Sequence, residues 1–74
     1  LYFASNRNGG MGGFDIYEAK QEGEFFEKVK NIGAPINSED DEIAFIVNDS
    51  KRRGYFASNR RGNFDIFKVD VLLL

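Results

Sequence analysis

One stretch of sequence is written twice in this chain. Tyr-Phe-Ala-Ser-Asn-Arg occupies residues 2–7 and again 55–60, and Phe-Asp-Ile follows at 14–16 and at 64–66. The first block recurs at an offset of 53 residues and the second at an offset of 50. The connection is therefore six residues long in the first copy (8–13) and three in the second (61–63). Matched blocks with an adjustable Gly-rich link divide the way strands and loops divide. A unit of roughly 40–50 residues carrying several strands is the period of a propeller blade.

The segments between the copies extend this pattern. Glu42–Val47 is almost wholly apolar, as expected for a strand covered on both faces. Asn48-Asp49-Ser50-Lys51 has turn composition, and Gly54 closes it onto the second Tyr-Phe-Ala-Ser-Asn strand. Residues 24–32 are ambiguous: Phe25, Phe26, Val29 and Ile32 partly suit a helical period. A strand is preferred, because a Gln21-Glu22-Gly23 turn precedes the segment and Gly33-Ala34-Pro35 stops it. The expected fold is all-β: antiparallel β-meanders forming about two incomplete blades of a β-propeller. Residues 1–33 would supply the last three strands of one blade and 34–41 a connection. Residues 42–70 would supply the first three strands of the next blade, and 71–74 the start of a tail or following domain.

Composition narrows the chemistry. At 74 residues the chain is one small domain at most, with no cysteine to staple it. It has no histidine, which removes the commonest metal ligand and the usual base near neutral pH. A net charge of −2, with both signs mixed, favours neither nucleic acid nor a membrane surface. No apolar run is long enough to insert into a bilayer, and no signal peptide is visible at Leu1-Tyr2-Phe3. Strand-like sequence at both ends gives the expectation that the chain is a segment of a longer one. Eight Phe and three Tyr must also find cover, so blade faces would need the rest of a propeller or further copies of the chain.

These residues resemble a known repeat. Asp41-Glu42-Ile43-Ala44-Phe45, residues 53–60, Phe64-Asp65-Ile66-Phe67 and residues 32–38 are similar to the WD-like, TolB-type propeller repeat. The nearest form is the one found in OmpA-family proteins of the Gram-negative cell envelope. The resemblance implies that Glu42–Val47 is the innermost strand of its blade, 55–59 the second and 64–69 the third. It implies a periplasmic or outer-membrane-associated location and a protein partner.

The candidate site residues read as blade hardware. Asp15 and Asp65 stand before Ile in both copies, and a carboxylate there is expected to accept hydrogen bonds from the adjoining loop. Ser5, Asn6, Arg7 and Ser58, Asn59, Arg60 are expected to support the turn, each Arg forking onto the Asp that follows. No base is at hand for a nucleophilic Ser. Gly9-Gly10-Met11-Gly12-Gly13 lacks the Lys and the following helix of a phosphate loop, and is expected to be a flexible blade loop. Glu39-Asp40-Asp41-Glu42 lacks the alternation of a calcium loop and is expected to be a solvated connection. The meander predicts Arg60 and Arg61 at the same end as Asp40 and Asp41, with ion pairs across it, and Lys51-Arg52-Arg53 at the other end as a solvated tip.

The functional expectation is a non-catalytic protein-interaction or scaffold segment, with no cofactor and no metal. One alternative is a ligand-binding or enzymatic propeller whose channel entrance includes Asn37, Ser38, Glu39, Asp40 and Asp41. Another is a blade fragment that assembles with copies of itself.

Overall fold

A computed structural model describes residues 1–48 and 53–70. The described residues hold six strands and no helix: β1 (Tyr2–Ser5), β2 (Asp15–Glu22), β3 (Phe25–Asn31), β4 (Glu42–Val47), β5 (Arg53–Ser58) and β6 (Asp65–Asp70). They form two antiparallel three-stranded sheets, ordered β1-β2-β3 and β4-β5-β6. Each sheet is an up-and-down meander. The repeat maps β1 onto β5 and β2 onto β6, and the paired strands keep the same register: Ser5 opposes Asp15 as Ser58 opposes Asp65.

Local chemistry explains the turns and the irregular strand. Glu22 pairs with Phe25, leaving Gly23-Glu24 as a two-residue hairpin loop. Gly23 has φ +62°, as a tight hairpin turn with a left-handed first residue requires. Residues 25–31 are a strand, which resolves the helix-or-strand ambiguity, and the cause of that ambiguity is visible. Glu18 pairs with Lys30 and Lys20 with Glu27, so β3 carries an extra residue in a bulge, with Lys28 at φ +56°. A bulge breaks the alternation of two, and the apolar residues on either side then fall at helix-like spacings.

The two sheets meet face to face. Ile16, Ile36 and Phe56 form the buried centre, and Tyr2, Ala4, Ile32, Phe45, Phe67 and Val69 close around it. The Tyr2 ring meets Phe45 edge-on at 4.8 Å, and Phe56 stacks on Phe67 at 5.5 Å. Gly54 is required beneath them, because a Cβ there would stand 2.7 Å from the Phe45 ring. The Tyr2/Ala4/Ile16 side of the first sheet thus covers the Phe45/Phe56/Phe67 side of the second.

The opposite side of the second sheet is largely uncovered among the described residues, with only the small Ala57 buried between its neighbours. Tyr55, Ala57 and Ile66 are the repeat counterparts of Tyr2, Ala4 and Ile16, yet Ile66 is 73% exposed where Ile16 is fully buried. Ile46 lies beside Tyr55 in the register and is 68% exposed. The expectation that Glu42–Val47 is covered on both faces is therefore corrected: among the described residues only one face has a partner. The turn expected at residues 48–51 and the tail at 71–74 fall largely or wholly outside the described residues.

Candidate functional site

The repeated polar residues gather at the end of the molecule where the connection 32–41 crosses from one sheet to the other. Two clusters form there, one on each sheet.

The first is built on Asp15, fully buried at the start of β2. Its Oδ2 accepts the N–H of Met11 (2.6 Å), the N–H of Gly12 (3.2 Å) and the Asn31 amide (3.2 Å). Asn31 Oδ1 in turn accepts the Gly33 N–H and the Asn37 side-chain amide. Asn37, also buried, accepts the Ile16 N–H at 2.7 Å and donates to its carbonyl at 2.8 Å, in the manner of one more strand residue beside β2. Asp15 Oδ1 is buried without a hydrogen bond from the described protein. Asp65, its counterpart, is exposed and accepts no such bonds among the described residues. Met11 and Gly12 stand four and three residues before Asp15; in the second copy those places are held by Arg61 and Gly62, and the Gly62 N–H donates to the Asn59 carbonyl at 2.9 Å instead.

The Gly-rich loop is not a free loop, contrary to the sequence expectation. Gly12 lies so close to the Glu39 and Asp40 backbone that a Cβ could not be accommodated, and Gly13 is equally close to the Asp41 carboxylate. The acidic run is correspondingly not a solvated connection. Asp41 Oδ1 accepts the Phe14 N–H at 2.8 Å, and the Glu42 N–H donates to the Phe14 carbonyl at 2.7 Å. These bonds tie the two sheets together across their seam. Asn59 closes the same turn, accepting the Asp41 N–H and donating to its carboxylate.

The second cluster is built on Glu42, which is fully buried. Its Oε1 accepts the Ser38 N–H (2.9 Å); its Oε2 accepts the hydroxyls of Ser38 and Ser58, each at 2.7 Å. Arg60 completes it, with Nη2 at 3.4 Å from Oε2. The Arg60 guanidinium also donates from Nε to Ser58 Oγ (3.0 Å), from Nη1 to the Pro35 carbonyl (2.9 Å) and from Nη2 to the Ile36 carbonyl. It lies over the Phe56 and Phe67 rings at 5.0 and 5.3 Å. The expected fork onto Asp65 does not form; the stacked rings hold the guanidinium over β5 and β6 and point it toward β4.

Arg60 and the acidic run share one end, as the strand order predicts, but the ion pair is made with Glu42 and not with Asp40 or Asp41. Arg61 is exposed and makes no ion pair among the described residues. The reason is a second bulge. Glu42 opposes Ser58 while Ala44 opposes Ala57, so Ile43 is the extra residue. It turns Glu42 onto the face that carries Phe45, Phe56 and Ser58. Simple alternation would have put Glu42 on the other face, which is why sequence reasoning passed over it. Asn31 and Ile36 were missed as well: Asn31 owes its place to Asp15 across the first sheet and to Asn37 of the connection, and Ile36 to the core between the sheets.

In the first copy, Ser5 and Arg7 repeat half of this arrangement. Arg7 donates from its backbone N–H and from Nε to Ser5 Oγ, both at 3.2 Å. It lies over Phe3 and Tyr17 at 5.3 and 4.9 Å. Asn6 is exposed.

Elsewhere, an open depression of about 530 Å³ is lined by Tyr2, Glu18, Lys20, Lys28 and Lys30 among others. Burial raises the Tyr2 hydroxyl pKa above its usual 10.0, and the neighbouring Glu18 carboxylate adds to that shift. The lysines there form only exposed pairs, Lys30 with Glu18 at 3.8 Å and Lys20 with Glu22 at 3.4 Å. Among the described residues no group of three acidic, His or Cys side chains is placed to hold a metal. Lys51 and Arg52 fall outside the described residues, while Arg53 opens β5 opposite Asp70, away from the acidic run. Comparison with protein families, curated proteins and solved structures finds no match to this chain.

Proposed function

We propose that the two sheets are parts of consecutive blades of a WD-like, TolB-type β-propeller, acting as a non-catalytic protein-interaction or scaffold segment in a bacterial cell envelope. The observation that carries the blade reading is the stacking of the repeat on itself. One face of the first sheet covers the opposite face of the second, while the equivalent face of the second, with Ile66 73% exposed, stands ready for the next unit. A face-to-back contact of this kind repeats until a ring closes. The non-catalytic reading is supported by the clusters themselves. The carboxylates of Asp15, Asp41 and Glu42 are each engaged by hydrogen bonds that hold loops and strands. Asn37 and Ser38 are engaged in the same way, which leaves the channel-entrance alternative less to work with. The envelope location and the protein partner come from the resemblance of residues 32–38, 41–45, 53–60 and 64–67.

The test is the mass of the chain in solution, measured by sedimentation over a concentration series. Blades that need neighbours will associate or bind a hydrophobic dye such as ANS. A monodisperse monomer that binds no dye overturns the blade reading. Fractionation of the source cells tests the location, and recovery in the cytoplasm alone refutes it.

A further inference from the structure

We infer that Asn8-Gly9 is a site of spontaneous modification, at which the Asn8 side chain is converted through a cyclic imide to aspartate and isoaspartate. The reacting groups sit on adjacent residues within the chain, so the site is complete by itself. The Gly9 backbone nitrogen gives up its proton to water and attacks Asn8 Cγ, forming a C–N bond. The side-chain amide nitrogen leaves as ammonia, and a succinimide ring closes. Water then adds to either imide carbonyl. Opening at one gives aspartate; opening at the other gives isoaspartate, with the main chain routed through Cγ. One water enters, one ammonia departs, and nothing is oxidised or reduced. Ring closure needs a side chain free to turn and an uncrowded attacking nitrogen, which a following glycine without Cβ provides.

The structure meets both conditions at this pair. Asn8 and Gly9 are exposed and make no hydrogen bond among the described residues. Gly9 has φ +89°, and a Cβ placed there would meet nothing within 4 Å. The loop is pinned only from Gly10 onward, where a Cβ would collide with the Asp15 carboxylate. The other asparagines are restrained by the fold or crowded by the residue that follows. Asn31, Asn37 and Asn59 each spend both ends of the side-chain amide on hydrogen bonds. Asn6, Asn48 and Asn63 precede Arg, Asp and Phe, and the sequence holds no other Asn-Gly pair. The second copy carries Arg61-Gly62 at the equivalent place, and the Gly62 N–H is held by the Asn59 carbonyl at 2.9 Å. The duplication thus leaves the reactive pair on one loop alone. Conversion puts a new negative charge beside Arg7. Isoaspartate also lengthens the main chain, and Gly9, with open space around it, takes up the extra atom ahead of the Met11 and Gly12 N–H groups that hold Asp15.

The test is timed incubation of the intact 74-residue chain in neutral and mildly alkaline buffer, followed by fragmentation mass spectrometry. The expected result is replacement of the amide by a carboxylate at Asn8, at a rate that rises with pH. Isoaspartate is read separately, as methyl transfer from S-adenosylmethionine by an isoaspartyl methyltransferase. Conversion at Asn8 should outpace that at Asn6 and Asn63 by about tenfold or more. Asn8→Gln should remove it and keep the parent circular dichroism spectrum, because Asn8 holds nothing in the fold; Asn8→Ser gives a second variant with the same expected result. In concentrated urea Asn31, Asn37 and Asn59 should convert faster, while Asn8 should change by less than about tenfold, since the fold neither holds nor shields it. An Asn8 that stays unconverted, conversion of another asparagine at equal pace in the folded chain, or a large acceleration of Asn8 on unfolding would each overturn the inference.

Discussion

At the scale of single residues, Glu42 carries more of the structure than any residue singled out by the repeat. It is a buried carboxylate with four donors: the Ser38 N–H and hydroxyl, the Ser58 hydroxyl and Arg60. Burying a charge is tolerated because these donors replace water, and removing the acceptor leaves them unmatched inside the fold. Arg60 retains 24% exposure, so water recovers part of the loss on its side. Glu42→Ala should therefore cost about 2–4 kcal/mol, read as a lower urea midpoint. Glu42→Gln keeps the shape and one acceptor and should cost less. A midpoint unchanged by Glu42→Ala would show that the cluster does not hold β4 to β5. None of this was legible from residues alone, because Glu42 ends an acidic run that reads as solvated.

At the scale of elements, the Gly-rich loop and the acidic turn are one unit. Gly12 rests on the Glu39 and Asp40 backbone, while Met11 and Gly12 turn their N–H groups onto Asp15. The atoms opposing a Gly12 side chain are backbone, and backbone held by the Asp41 and Asn59 bonds yields little. Gly12→Ala should thus destabilise the chain by about 1–3 kcal/mol. Met11→Ala at the neighbouring exposed position should change stability by less than about 0.5 kcal/mol. Chemical denaturation of the two variants checks this, and equal midpoints would mean the loop is as free as its composition implies. The longer first loop was visible as a change of offset from 53 to 50. Its purpose was not, since the segment it touches lies some 25 residues further along the chain. The bulges in β3 and β4 were hidden for a related reason: an extra residue is defined by its partner strand, which a single strand's pattern does not contain.

At the scale of the whole molecule, one residue type in one motif has two fates. Ile16 and Ile66 occupy the same place in the repeat, one fully buried and the other 73% exposed. Ile16→Asp would place a carboxylate at the centre of the core beside Ile36 and Phe56, and should abolish folding as judged by circular dichroism. Ile66→Asp should leave the fold intact, lower the mass seen in sedimentation and reduce dye binding. If both variants unfold, or neither alters association, the face carrying Tyr55 and Ile66 is not the contact surface that its counterpart is.

The sequence by itself determined five of the six strands, their antiparallel order and the presence of two equivalent units, and left residues 24–32 open between strand and helix. Those follow from alternation, turn chemistry and repetition, all of which act between near neighbours. It also determined that Asp15 and the Ser-x-Arg pairs belong to the ends of strands. Only the tertiary structure decided which copies of those residues are used. Asp15 is enclosed because Met11 and Gly12 of the longer loop turn their N–H groups onto it and Asn31, held in turn by Asn37 of the connection, donates to it, whereas Asp65 is left in water. Arg60 meets a carboxylate because a bulge turns Glu42 toward it, and Arg7 keeps the same posture without one. The repeated words of the sequence specify what each unit can hold. What each unit does hold depends on the surface laid against it, and that is set by packing between segments far apart along the chain.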